Sequence, residues 1–244
     1  MDVEKIQILL NKVIYYLAAV LITVIIFAGL VIEAGKLPEE ERNKIIDEMK
    51  RAAQGLPRNA NLPVPWPAQM NTEYPDFEVI DQDGRQFKIS SLRGKVILVE
   101  IIDMMNPVSL SYNGAAEYGL FGKAQGADQY EISLAKTIEK QMQGSFSLPH
   151  AEVIVLKLIV YNQEGTQPNA MDAESWANFY RLKKEDNYYV VVPAKDFRGE
   201  ETDRIVPGYQ LIDRDFNLRV DAAGPAPKHN FKMSLIPHIP KLAK

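Results

Sequence analysis

Two long apolar runs mark the centre of a predicted sheet. Residues 96–102 and 152–161 are rich in β-branched side chains and are nearly continuous in hydrophobic character. Such runs are typical of interior strands buried on both faces, whereas half-exposed strands alternate apolar and polar positions. Turn residues separate them from five shorter predicted strands. These are residues 77–80, 86–89, 188–192, 209–212 and 218–220.

Helical patterns fall between and after these strands. Residues 128–143 and 172–184 are predicted to be helices, and Asp172 supplies a cap and an acidic first turn for the second. Residues 231–244 are a candidate last helix, which Pro237 and Pro240 are expected to break because proline lacks a backbone donor. Strands that alternate with helices predict an α/β sandwich.

The longest uncharged apolar run, residues 13–32, lies outside this pattern and follows a short tail of residues 1–12. Its length suits a helix that crosses a hydrocarbon core of ~30 Å, and Tyr15 and Tyr16 lie near one end, where interfacial aromatics are common. A cleaved signal peptide is the alternative, but it has a shorter apolar core and a small-x-small cleavage site. We therefore expect an uncleaved transmembrane helix in the lipid bilayer.

Residues 33–71 connect this anchor to the strand pattern and begin with a second predicted helix. Pro38 suits its first turn and Gly55 its C-terminal cap. Its apolar residues recur at helical spacing and form one narrow stripe. The stripe consists of Ile45, Ile46, Met49 and Ala53. It packs either on the protein's own domain or on a neighbouring membrane subunit.

A proline-rich segment, residues 56–68, follows that helix. Proline excludes it from regular helices and sheet interiors, so we expect an extended, stiff spacer that holds the domain away from the bilayer. Trp66 lies between two prolines. Its ring packs either on its own domain or in a partner's aromatic-lined groove.

Composition excludes several classes of chemistry. The chain has no cysteine, so it forms no disulfides and cannot carry out thiol–disulfide exchange, which requires a thiolate. Its three histidines are far apart and match no metal-ligand pattern, so we expect no metal and no other cofactor. A net charge of -4 argues against a nucleic-acid partner, which would require a basic surface.

The first apolar run leads directly into a turn with proline at its fourth position. The turn consists of Met104, Met105, Asn106, Pro107 and Val108. With residues 74–84, 91–95 and 206–215, it resembles the thioredoxin-like superfamily, in particular membrane-anchored thiol-disulfide oxidoreductases and peroxiredoxins. That family carries Trp-Cys-x-Pro-Cys at the turn. Here Met104 stands at the tryptophan position, and Met105 and Val108 stand at the two cysteine positions.

This resemblance implies a thioredoxin-like sandwich with a central mixed sheet over residues 72–244. The redox motif is degenerate, so no catalytic residue is expected. In the family, a cis-proline faces the dithiol, and the resemblance places it at Pro207. Such proteins usually have an extracytoplasmic domain on a membrane anchor. The resemblance therefore favours a periplasmic domain on the inner membrane, whereas the lysines and arginines flanking residues 13–32 favour neither orientation.

The segment after the turn departs from the family pattern. Residues 112–126 contain four glycines, which disfavour a continuous helix. Tyr112, Tyr118 and Phe121 are candidate partner contacts there, because loops on a rigid scaffold often carry function. A surface loop without function is the alternative.

The adjacent Met104 and Met105 are soft thioethers of the kind that bind Cu(I). Copper-chaperone relatives of the fold, however, use two cysteines and a histidine. Core packing of the methionines is therefore the favoured interpretation.

Together these features predict a non-catalytic, membrane-anchored binding module. We expect an accessory, structural or assembly subunit of a larger complex, with integral membrane subunits as partners. The alternative is a copper-chaperone-like assembly factor that uses methionine ligands.

Overall fold

A computed structural model describes residues 64–122 and 132–244. The predicted tail, transmembrane helix and amphipathic helix, with Ile45, Ile46 and Met49, lie outside these residues. Within the described ranges, no helix is both long enough and apolar enough to cross a membrane.

Seven strands form one mixed sheet in the order β2-β1-β5-β4-β3-β6-β7. They are β1 (Glu78–Asp81), β2 (Gln86–Lys88), β3 (Val96–Asp103), β4 (Val153–Tyr161), β5 (Tyr188–Pro193), β6 (Gly208–Ile212) and β7 (Leu218–Ala223). Strand β4 runs parallel to β3 and β5, while β6 is antiparallel to β3 and β7. All seven predicted strands are present, with small shifts at their ends.

Short helices connect and cover the strands. The α-helices are α1 (Pro107–Asn113), α2 (Ala115–Tyr118), α3 (Leu134–Gln141), α4 (Ala170–Phe179), α5 (Glu200–Asp203) and α6 (Ile236–Leu242). Two 3-10 helices span Ile89–Leu92 and Lys184–Asp186, and a π-helix spans Phe231–Leu235. Helix α4 begins earlier than predicted, because Asn169 is its N-cap and forms a reciprocal capping box with Asp172.

The predicted break in the last helix is wrong. Pro237 lies in the first turn of α6, the part of a helix that tolerates proline best. Pro240 lies inside the helix and removes one hydrogen bond. The neighbouring Ile236 and Ile239 are fully buried, and their packing holds the helix despite that loss.

Successive residues of β3 point to opposite sides of the sheet and define two faces. On the first face, Ile97, Val99 and Ile101 pack with aromatic residues from the loops, including Phe77 and Phe197. The second face is covered by α1, α3, α4 and α6, whose side chains form two separate apolar clusters with the strands.

The folded domain begins before the predicted boundary at residue 72. Val64, Trp66 and Met70 pack against the cluster on the first face, and the Asn71 N–H donates to the Leu218 carbonyl at 2.8 Å. The end of the predicted spacer is therefore part of the domain, because its apolar side chains cover a sheet face that would otherwise be exposed.

Candidate functional site

The turn after β3 is shaped by hydrogen bonds from backbone N–H groups to side chains. The Asp103 carboxylate accepts from the Met105 N–H at 2.9 Å. The Asn106 side chain accepts from the Val108 N–H at 2.9 Å and caps α1, and Pro107 is the first residue of that helix. Asparagine at the N-cap followed by proline is a favourable helix start, so the turn folds well without cysteine.

The side chains of this turn point into different environments. Met104 is 1% exposed and packs with Ile102 and Leu110 in the core. Met105 and Val108, at the two cysteine positions of the family, are 37% and 47% exposed. The turn therefore presents a thioether and an aliphatic group, neither of which can attack a disulfide.

This geometry gives no support to a copper site shared by Met104 and Met105, because one side chain is in the core and the other is on the surface. Among the described residues, no group of three or more His, Cys, Asp or Glu side chains is placed to hold a metal ion.

Beside the turn, the Val206–Pro207 peptide bond is cis, and an open groove of about 610 Å³ lies against it. Its lining includes Asn106 and Val108 of the turn and Tyr209 and Phe231. None of the described residues that line the groove carries a charge. The groove is therefore suited to an uncharged occupant.

Two glycines allow the backbone segments below this groove to approach closely. A Cβ on Gly208 would lie 2.3 Å from the Cα of Ala223. A Cβ on Gly224, whose φ is +78°, would lie 1.9 Å from the carbonyl oxygen of Arg204. Any larger residue would push these segments apart, so the groove depends on glycine at both positions.

An aromatic cluster forms one wall of the groove. The rings of Tyr209 and Phe231 stack with centroids 4.3 Å apart, and Tyr112 meets them edge-on at 5.6 Å and 5.4 Å. Phe231 begins the π-helix, a rare element that often occurs at functional sites. Tyr112, a predicted partner contact, is mostly buried by these neighbours and is also one of the residues that line the groove.

The other predicted contacts in the glycine-rich segment differ in exposure. Gly114 and Gly119 have positive φ values and end α1 and α2, as the glycine content predicted. Tyr118 is exposed, with the Arg181 guanidinium 5.3 Å from its ring centroid. Phe121 is half-buried, and its ring packs on those of Trp176 and Phe179.

Trp66, the predicted contact in the proline-rich segment, packs on its own domain. Its indole N–H donates to the Thr202 hydroxyl at 2.9 Å, and its ring meets those of Phe77 and Phe197 at 5.7 Å and 5.1 Å. Of the two interpretations of Trp66, the intramolecular one matches the structure, and a free anchor for a partner does not.

Sequence reasoning missed two parts of this region. Pro225, Pro227 and Phe231 complete the groove, but they are far from the turn in sequence and carry no motif. The second part is a buried ion pair beneath the turn, between Glu100 and Lys157. A signal for it was present, because a charged residue interrupts the apolar interior of each of the two longest strands, Glu100 in β3 and Lys157 in β4.

Comparisons with known proteins yield structural neighbours only. No family model matches the chain, and no curated protein does. A putative protein disulfide isomerase from Bacteroides thetaiotaomicron is 14% identical, with 75% of this chain and 94% of that one covered and a TM-score of 0.44. A SCO1/SenC family lipoprotein from Bacillus anthracis str. Ames is 13% identical, with 71% and 96% covered and a TM-score of 0.45.

A third solved structure, the thioredoxin-like superfamily protein SPOA0173, is 21% identical, with 70% and 96% covered and a TM-score of 0.40. The described residues of the present chain form an α/β thioredoxin-like fold with a central mixed sheet.

Proposed function

We propose that this chain is a non-catalytic, membrane-anchored binding module. In this proposal it serves as an accessory, structural or assembly subunit of a larger complex of integral membrane proteins, with its domain on the periplasmic side of the inner membrane. The observation that carries the proposal is the pairing of a thiol-free turn with an open, uncharged groove at the same edge of the sheet.

The chemistry of the turn favours binding over catalysis. The chain has no cysteine, so no thiolate is available anywhere for thiol redox catalysis. Met105 and Val108 instead add exposed apolar surface beside the groove. Apolar surface exposed next to a concave site is a feature of protein-binding regions.

The backbone beside the groove favours an extended peptide segment as the occupant. Neither the N–H nor the C=O of Val206 is hydrogen-bonded to another described residue. A strand-like segment laid along Val206 would satisfy both groups, and its apolar side chains would contact Tyr209 and Phe231. Residues 13–32 would keep the domain near membrane partners that present such a segment.

The test is capture from native membranes after gentle detergent solubilisation, through a C-terminal tag, with mass spectrometry of the complex after size separation. We expect recovery in fixed stoichiometry with a defined set of integral membrane subunits. Recovery of the chain alone would contradict the proposal.

Two matched variants test whether the groove binds the captured partners. Val108→Asp places a charge at the groove, while Met171→Asp places the same charge on an exposed residue of α4. Both positions are second in their helices, where an acidic residue is favoured by the helix dipole, so both variants should fold. We expect Val108→Asp to lose the partners and Met171→Asp to retain them. Equal capture by both would exclude the groove as the binding site.

A further inference from the structure

An ion pair is buried under α1 on the second face of the sheet. Glu100 on β3 and Lys157 on β4 are each 1% exposed, and the ammonium lies 2.5 Å from one carboxylate oxygen. The two residues are direct neighbours in the parallel register of these strands. None of the roles described for the turn or the groove uses this pair.

The other carboxylate oxygen of Glu100 connects further elements. It accepts from the Asn113 side-chain amide at 2.8 Å and from the Tyr209 hydroxyl at 3.0 Å. The Asn113 carbonyl oxygen in turn accepts from the Trp176 indole N–H at 3.0 Å. These five residues, called the Glu100 network below, join three strands with α1 and α4.

Stability alone is a poor explanation for this network. It lies between the two apolar clusters of the second face, where charged groups lose their hydration. Replacing a buried ion pair with apolar residues of similar volume often leaves stability unchanged or raises it. Apolar residues would not reproduce the directed hydrogen bonds. Those bonds specify one arrangement of the strands and helices that the network joins.

The network leads directly to the groove. Tyr209 donates its hydroxyl proton to Glu100, while its ring stacks on Phe231 and lines the groove. Asn113 lies in the last turn of α1, and Val108 in the first turn of that helix also lines the groove. One carboxylate therefore accepts hydrogen bonds from Tyr209, which lines the groove, and from the helix whose first turn lines it.

We infer that Glu100 and Lys157 are positioning residues for this groove. Through Tyr209 and Asn113, the ion pair sets the separation between the aromatic wall and the first turn of α1, and so determines which segment fits. The inference rests on the proposed function, because it treats the groove as the binding site.

The test compares two double variants of the full-length chain in detergent. Glu100→Leu with Lys157→Met replaces the buried pair by apolar residues. Lys95→Met with Glu152→Leu removes a half-exposed pair from the segments that precede the same two strands, together with the ion pair of Glu152 and Arg214, and serves as the control. Tyr209→Phe is a third variant, which removes one hydroxyl and leaves the ring.

Two readouts are combined: the methyl NMR shifts of Val108, and the membrane capture described above. For the buried double variant we expect shifted Val108 methyl signals and a reduction of about tenfold in captured partner, with thermal stability close to that of the parent. The control should match the parent in both readouts. Tyr209→Phe should also shift the Val108 methyl signals and lower partner capture. If the double variant fails to fold, this single variant tests the inference.

Unchanged Val108 signals and unchanged capture in the buried double variant or in Tyr209→Phe would overturn the inference. If the parent chain captures no partner, the proposed function fails, but the methyl signals still report whether the network positions the groove. Shifted signals then support positioning, and unshifted ones overturn it.

Discussion

The two faces of the sheet differ in the polar groups that they bury. The first face carries one apolar cluster, which includes the rings of Trp66, Phe77 and Phe197, and it also buries the hydrogen-bonded side chains of Tyr74, Gln210 and Asp221. The second face is divided into two apolar clusters with the Glu100–Lys157 pair between them. Both faces combine apolar burial, which has no direction, with directed hydrogen bonds, but those of the second face are centred on a buried ion pair.

The largest effect is expected from breaking the buried pair on one side only. Glu100→Leu leaves the Lys157 ammonium buried without its only hydrogen-bond acceptor among the described residues, which should cost about 3–5 kcal/mol of unfolding free energy. Adding Lys157→Met should recover most of that loss. Urea unfolding of the full chain, followed by circular dichroism, measures both. Equal losses in the single and double variants would show that packing, and not the unpaired charge, sets the cost.

On the first face, Trp66→Ala should cost less, about 2 kcal/mol, since the indole is only partly buried. The loss combines ring packing on Phe77 and Phe197 with the hydrogen bond to Thr202. Trp66→Phe separates the two contributions, because it keeps a ring and removes the donor. Its cost should be about 1 kcal/mol in the same unfolding assay. If Trp66→Ala unfolds like the parent, the segment before residue 72 is not part of the cooperative domain.

A smaller effect on stability is expected at the turn after β3. Asn106→Ala removes the cap of α1 and should cost about 1 kcal/mol. The matched change Asn169→Ala removes the cap of α4, far from the groove in sequence, at a similar cost. Only Asn106→Ala should also lower partner capture. A loss of capture in both variants would point to general destabilisation.

The smallest effect concerns Asp103, whose partial burial raises the pKa of its carboxyl above the ordinary 3.8, against the opposing hydrogen bond from the Met105 N–H. Because the folded state holds this proton more tightly, stability falls as pH rises through the raised pKa. Asp103→Asn keeps an acceptor for Met105 and removes the charge. The variant should be slightly more stable than the parent at pH 7, with the gain vanishing below the ordinary carboxyl pKa. A gain independent of pH in parallel unfolding curves would contradict this assignment.

The strands and the turn were predictable because their signals are local. Apolar runs found all seven strands, and the Asn106–Pro107 pair marks the start of α1 through capping preferences that depend on adjacent residues. The packing of the Trp66 and Tyr112 side chains was less predictable. An aromatic residue in a loop packs inward or remains exposed according to which surface the chain brings beside it, and here both rings met other aromatic rings.

By itself, the sequence determined that this chain performs no thiol chemistry. It contains no cysteine, and the absence of the thiol group can be read without a structure. Hydrophobic periodicity likewise determined the strands of the central sheet. Only the tertiary structure decided that Glu100 meets Lys157, 57 residues away, and Tyr209, 109 residues away. Those contacts depend on the order and register of strands in the sheet, and the pattern of a single strand does not specify which neighbours it will have.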